Sequence, residues 1–245
     1  MELVELKKRL DSIIDKAYQG GVTLLPFLDE EKERYVYDTI SHHPTLYIYS
    51  NGGITNSLRN RIVISPYDTF NNDFKIVVFK VLYNKKFYEI NHRSTLGSLM
   101  GLGIKRECIG DIVITDNKDV FIAITEEMST FVKNELRQIG KAQIDLLEYN
   151  DEVINEIRYE TKTCFIQSLR LDSVVADAIS KSRAEAQEHI FNGLVMLNYN
   201  VCQNNSESIK EGDILSIRHY GKYLISHVGG KSKSGRIVVE ISKRV

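Results

Sequence analysis

The stretch LRLDSVVADAISKSRAEAQEHIFNGLVMLNYNVCQNNSESIKEGDILSIRHYGKY, Leu169 to Tyr223, decides how the carboxyl-terminal third of this chain folds. Asp172 is placed to cap a first helix running to about Ile179. Ser182-Arg183-Ala184-Glu185 is an S-x-x-E capping box that opens a second helix, and Asn192-Gly193 closes it. Lys181 and Arg183 then stand at a helix start, where unpaired backbone N–H groups and the helix dipole favour an anion such as phosphate. Gly193-Leu194-Val195 begins a strand that carries Asn198, Glu211-Gly212-Asp213 turns the chain, and Ile214 to His219 reads as a further strand before Tyr220-Gly221-Lys222. A capped surface helix with solvated charges is the plainer reading of any lone capping box. The β unit that follows is what favours a grip on RNA.

Taken together, Arg170-Leu171-Asp172, Ser182-Arg183, Ala186, Gly193, Val195, Asn198, Gly212-Asp213, Arg218 and Gly221 resemble the S4 domain, a small RNA-binding fold. One departure stands out. Where that family commonly has Val-Asn-Gly, this chain has Leu197-Asn198-Tyr199, so the tight turn after the strand must be made differently.

Working outward, 245 residues allow two or three small domains, and 42% hydrophobic with 27% charged residues is ordinary for a globular protein. The longest apolar runs are strand-sized, and the amphipathic start MELVELKKRL lacks a signal-peptide core, so a cytoplasmic protein without a membrane span is expected. Cys108, Cys164 and Cys202 lie far apart without a C-x-x-C pair, which points to neither disulfide nor zinc, and no cofactor is expected. A net charge of −1 argues against a nonspecific nucleic-acid coat. The distribution is uneven, however: from Leu215 onward, Arg218, Lys222, Lys231, Lys233, Arg236, Lys243 and Arg244 face Glu240 alone. Gly229 to Arg236 reads as a flexible hairpin tip between strands Tyr223–Val228 and Ile237–Ile241, with three cations, Lys231, Lys233 and Arg236, able to follow a phosphate backbone.

Enzyme lookalikes fail on spacing. Lys231-Ser232-Lys233-Ser234 is similar to the lysine-serine signature of class I tRNA synthetases but has no nucleotide-binding domain around it. Gly230-Lys231-Ser232 lacks the P-loop glycine five positions earlier, where Ile225 stands. Arg170-Leu171-Asp172 resembles the catalytic triplet of pseudouridine synthases, but Ser173-Val174-Val175 does not continue that pattern, which leaves Asp172 as a helix cap.

Upstream, periodicity predicts strand Phe74–Leu82, helix Thr95–Leu102, strands Asp111–Thr115 and Val120–Ile124, helix Glu126–Ile139 and strand Gln143–Glu148, with Thr125 capping the second helix and Gly140 ending it. This β-α-β-β-α-β order is the split βαβ of ferredoxin-like and RNA-recognition folds. Its third strand, Val120-Phe121-Ile122-Ala123-Ile124, has one aromatic and no RNA-recognition signature, so base stacking on this sheet is not expected. Gly97 and Gly101 are predicted to allow close packing of the first helix, and Gly103 to end it and aim Lys105-Arg106 outward.

The run from His92-Arg93 through Leu96-Gly97, Leu99, Leu102-Gly103-Ile104-Lys105-Arg106-Glu107 to Ile109-Gly110-Asp111-Ile112 resembles the hallmark of the YlmH family, bacterial proteins with a carboxyl-terminal S4 domain. That resemblance implies a helical amino-terminal region. Leu3, Leu6, Leu10, Ile13, Ile14 and Ala17 form one amphipathic stripe there, and Asp29 caps a second helix from Glu30 to about Ser41. After the Asn51-Gly52-Gly53 turn, Arg59 and Arg61 alternate with strand period, either extending an RNA-contacting stripe or protecting an edge strand. His42-His43 has no ligand cluster around it and does not read as a metal site.

The expected fold is therefore α+β: an N-terminal α/β region (1–72), a ferredoxin-like, RNA-recognition-like domain (73–150), a charged linker (151–168) and an S4 domain with a basic hairpin (169–245). The resemblance implies a factor that binds rRNA and tRNA on large ribosomal subunits still carrying peptidyl-tRNA, in rescue of stalled translation; with no His/Asp/Ser constellation, metal cluster or cofactor loop in the sequence, a non-catalytic protein is expected, and a monomer. Arg170, Lys181, Ser182, Arg183, Asn198, Arg218 and Lys222, with the hairpin cations, are the expected RNA surface, and Arg93, Lys105 and Arg106 a second contact. An RNA-modifying enzyme targeted by its S4 domain and a protein-interaction module are the competing readings.

Overall fold

The computed structural model describes residues 3–69, 71 and 73–244, in two compact units that divide between Glu156 and Ile157. In the first unit, helix α1 (Leu3–Tyr18) buries Leu6, Leu10, Ile13, Ile14 and Ala17, the stripe its 3.6-residue period predicts. Strands β1 (Thr23–Leu24) and β2 (Leu28–Asp29) lead into helix α2 (Glu30–Ile40). The Asp29 carboxylate caps α2 by accepting from the Lys32 backbone N–H at 3.1 Å. Strand β3 (Tyr47–Asn51) and then β4 (Arg59–Ser65) complete a small antiparallel sheet in which β4 pairs with all three others.

Because β4 is interior, the edge-strand reading of Arg59 and Arg61 fails, and so does the exposed RNA stripe. Arg59 donates to the carbonyls of Ile109, Phe27 and Arg106 at 3.0–3.2 Å. Arg61, 5% exposed, donates to Leu25 and Lys75 carbonyls at 3.2 and 2.8 Å and pairs with Glu127 at 3.5 Å. Burial lowers the pKa of both guanidiniums. Arg61→Ala should therefore cost about 2–3 kcal/mol by stranding buried acceptors, read as a lower urea midpoint.

The rest of this unit is β5 (Ile76–Leu82), α3 (His92–Gly101), a 3-10 turn (Arg106–Cys108), β6 (Ile109–Ile114), β7 (Val120–Thr125), α4 (Glu126–Glu135), the hairpin β8 (Gln138–Ile139) and β9 (Ala142–Gln143), and β10 (Asp145–Glu148). The sheet order β10-β5-β7-β6, all antiparallel, is the ferredoxin-like arrangement. Helix α4 stops four residues before its predicted end at Ile139. Leu136 and Ile139 continue the apolar period but are buried around the β8–β9 hairpin, which Gly140 turns at φ +59°. Thr125 occupies the cap position of α4 without a side-chain cap bond.

One face of this sheet packs Val113, Phe121 and Ala123 against Phe27, Ile54 and Val153, so the face on which an RNA-recognition motif would stack bases is covered by the unit's own chain. Gly110 is the glycine that packing demands: a Cβ there would lie 2.7 Å from the Phe27 ring and 2.9 Å from Ala123. Gly97 and Gly101, in contrast, meet nothing within 4 Å, which corrects their predicted role in close packing. With open space and helical backbone at both, Gly97→Ala and Gly101→Ala should each stabilise the protein by about 1 kcal/mol, visible as a raised thermal midpoint.

The second unit is β11 (Tyr159–Ile166), α5 (Leu171–Ile179), α6 (Arg183–Phe191), β12 (Val195–Leu197), β13 (Asn200–Val201), β14 (Ile214–Ile217), β15 (Gly221–Lys231) and β16 (Ile237–Arg244). One antiparallel sheet in the order β11-β16-β15-β14-β12-β13 lays its inner residues, among them Ile166, Val195, Leu215, Ile225 and Val239, against Leu171, Val175, Ile179, Ala186 and Ile190 of the two helices. Much of the segment read as linker is therefore strand: β11 pairs along its whole length with β16. The basic hairpin is also less loose than its composition indicates. Lys231 lies in β15 opposite Ile237, and the tip closes when Ser232 N–H donates to the Arg236 carbonyl at 2.7 Å. Strand β14 ends at Ile217, and His219, at φ +72°, turns the chain into β15.

Candidate nucleic-acid interface

Asp172 is not a helix cap. Arg170 holds the cap position of α5, and the Leu171 and Asp172 N–H groups donate to the Glu207 and Asn205 carbonyls at 2.8 and 3.2 Å. The Asp172 side chain is instead fully buried and gathers three donors. Arg170 approaches both its oxygens at 3.2 Å, Arg183 Nη2 reaches them at 3.0 and 2.9 Å, and Gln187 donates at 2.9 Å. Burial raises the carboxyl pKa, but the hydrogen bonds from Arg170, Gln187 and Arg183 outweigh it and bring it down to about 2. Two guanidiniums share one carboxylate, so the cluster keeps a net positive charge. Arg170 and Arg183 remain 38% and 49% exposed at the side chain, and Arg183 uses only Nη2 inward.

The capping box of α6 is present, but it occupies Ser182: its hydroxyl donates to Glu185 at 2.7 Å and accepts from the Glu185 N–H at 3.2 Å. Lys181 is exposed, with Glu185 3.5 Å away, an exposed pair that salt weakens. Ser180, at φ +55°, ends α5 and brings Lys181 directly to the start of α6. Lys162 is not legible in the sequence as part of this region because it lies in the segment read as linker. Strand β11 carries it to the end of α5, where its ammonium donates to the Asp177 carbonyl at 3.0 Å and the Ser180 hydroxyl at 3.1 Å.

A second basic group stands at the turn between β14 and β15. Arg218 is exposed, and Lys222 lies 5.0 Å from the centre of the Tyr199 ring, a cation–π contact. The His189 and Tyr220 rings are 5.6 Å apart, which places this turn beside the far end of α6. Arg183 and His189 are six residues apart on α6, about 9 Å of helix rise. Asn198 serves the fold: its amide donates to Asp213 at 2.8 Å and accepts from the Ile214 N–H at 3.0 Å. Asn198 and Tyr199, at φ +48° and +68°, make the two-residue turn between β12 and β13 with a tyrosine where glycine is favoured. Lys231, Lys233 and Arg236 are exposed along the last hairpin.

In the first unit, Arg93 on α3 and Lys105 are exposed, but Arg106 turns inward. Its guanidinium donates to the Ile109 and Gly110 carbonyls, and burial, with Arg59 beside it, lowers its pKa to about 10. The expectation that Gly103 aims both cations outward holds for Lys105 alone. Gly103 does end α3, at φ +81°.

The family profile described as "Putative RNA-binding domain in YlmH" matches residues 70–152, and the S4 domain profile matches residues 169–215. "Ribosome-associated protein quality control protein P2" of Bacillus subtilis is 33% identical over 228 residues, covering 91% of this chain and 87% of that protein. Among solved structures, "Cell division protein ylmH from Streptococcus pneumoniae" aligns with a TM-score of 0.51 and 24% identity, covering 60% of this chain and 90% of that one, a likeness of fold. A match to the YlmH RNA-binding profile followed by one to the S4 profile, together with 33% identity to the Bacillus protein over most of both chains, places this chain in the YlmH family.

Proposed function

We propose that this protein is a non-catalytic factor that binds ribosomal RNA and tRNA on large ribosomal subunits that still hold peptidyl-tRNA, in quality control of stalled translation. The observation that carries the reading is the pair of half-exposed arginines, Arg170 and Arg183, fixed on a buried carboxylate at the start of α6. A guanidinium held in place loses little freedom on meeting a phosphate, so this cluster is pre-organised for the sugar–phosphate backbone. Folded RNA is recognised largely by shape and phosphate contacts, for which two basic groups at opposite ends of α6 suit better than a deep pocket. Lys181, Arg218, Lys222, Lys231, Lys233 and Arg236 extend that surface, and Arg93 and Lys105 supply a separate weak contact on the first unit. Weak contacts on one chain reinforce each other. The ribosome association named for the Bacillus relative is carried over here on the strength of 33% identity across 87% of that protein.

Gradient sedimentation tests the reading. The full chain should travel with isolated large subunits, more so when they carry peptidyl-tRNA, and should be released as salt rises. A protein that stays at the top of the gradient at low salt, or whose association survives RNase digestion, would overturn it.

A further inference from the structure

We infer that the outer face of the β13-β12-β14-β15 sheet seats a single unpaired nucleobase, an inference that rests on the RNA-binding reading above and adds a preference for extruded over paired nucleotides. A row of directly opposed residues crosses these four strands: Val201 opposite Met196, Met196 opposite Ser216, and Ser216 opposite Lys222. Their neighbours Val195, Leu215, Ile217 and Tyr223 point into the core, so strand alternation puts the row on the solvent side. That side should be polar, yet Met196 and Val201 are apolar and Val201 is 59% exposed.

The row floors a concavity of about 440 Å³ whose charged or titratable lining is Arg218, His219 and Lys222, with no carboxylate. An apolar floor, a serine hydroxyl and a rim whose charged groups, Arg218 and Lys222, are both cations match the parts of a nucleotide: the flat base on Met196 and Val201, a base-edge group at Ser216, and the phosphates at Arg218 and Lys222. Methionine adapts its shape to such a flat partner. In a duplex the base faces are covered by stacking, so only a bulged or looped-out nucleotide can enter. The backbone around the concavity is built at some cost, since His219 on the rim adopts φ +72°.

The test compares three labelled hairpin RNAs by anisotropy: one with a single bulged adenosine, one with an abasic nucleotide at the bulge, and one fully paired. The full-length protein should bind the adenosine bulge about tenfold more tightly than the abasic one. The double variant Met196→Thr, Val201→Thr should reduce the bulge to the abasic level and leave the other two affinities unchanged. If that variant fails to fold, Val201→Thr alone, at an exposed site, should lose most of the discrimination. Equal, salt-sensitive binding of all three hairpins would overturn the base seat and leave the RNA reading standing, whereas no binding to any would end both. Undiminished discrimination in the variants would overturn the assignment to this face, and if such a variant also ceased to sediment with large subunits, the patch would be a protein contact instead.

Discussion

Asp172→Ala should destabilise the carboxyl-terminal unit by about 2–3 kcal/mol, because it leaves two half-exposed guanidiniums and an amide facing a site from which their shared acceptor has gone. Urea unfolding followed by circular dichroism measures this, and a change below about 1 kcal/mol would mean that solvent replaces the carboxylate cheaply. Asp172→Asn separates charge from shape. The native carboxyl titrates near 2, below the ordinary value of 3.8, so its charge contributes stability that is present above pH 4 and lost as pH falls from about 4 towards 2. That contribution is about 2 kcal/mol. The wild-type protein and the D172N variant should therefore differ most at neutral pH and converge by about pH 2, and a constant gap would show that the charge is not what matters.

Changing Lys181 and Arg183 together to alanine should weaken RNA binding by about 10- to 100-fold at moderate salt and lower the log–log salt slope by about one unit for each phosphate no longer neutralised. Arg183 has two duties, one inward to Asp172 and one outward, and they can be told apart. Arg170 and Gln187 still satisfy Asp172 in the double variant, so it should remain folded near room temperature with a modestly lowered thermal midpoint. Lys181→Ala alone removes an exposed cation that pairs with Glu185 on the surface and should lower the slope by about one with little stability change. Unchanged affinity and slope in the folded double variant would remove the start of α6 from the interface.

Residues whose local chemistry decides their conformation are legible in the sequence. The Ser182–Glu185 capping box, the Asp29 cap, the Gly193 and Gly103 terminators and the apolar stripe of α1 all depend on neighbours within a turn or two. The ferredoxin-like order is legible for the same reason, through alternation and turn residues. Residues whose partners are distant in sequence are not. Arg59 and Arg61 read as exposed cations because nothing nearby announces the carbonyls of Phe27, Lys75 and Ile109. Asp172 reads as a cap because a cap and a buried counter-ion place the same residue type at a helix start, and Arg183 lies eleven residues on. Strand β11 escapes detection because its first five residues are all exposed, leaving no apolar alternation until Cys164. The sequence therefore locates the candidate site by region, while the division of its arginines between holding the fold and facing outward emerges only in three dimensions.

The pairing of β11 with β16 also governs how this protein comes into being. Tyr159 partners Arg244 and Ile166 partners Ile237, so the first strand of the second unit waits for the last to be synthesised. Such high contact order slows closure and keeps an unpaired, half-formed sheet available to aggregate in the meantime. Nascent chains should thus be able to complete the first unit while the sheet of the second still waits for residues 237–244.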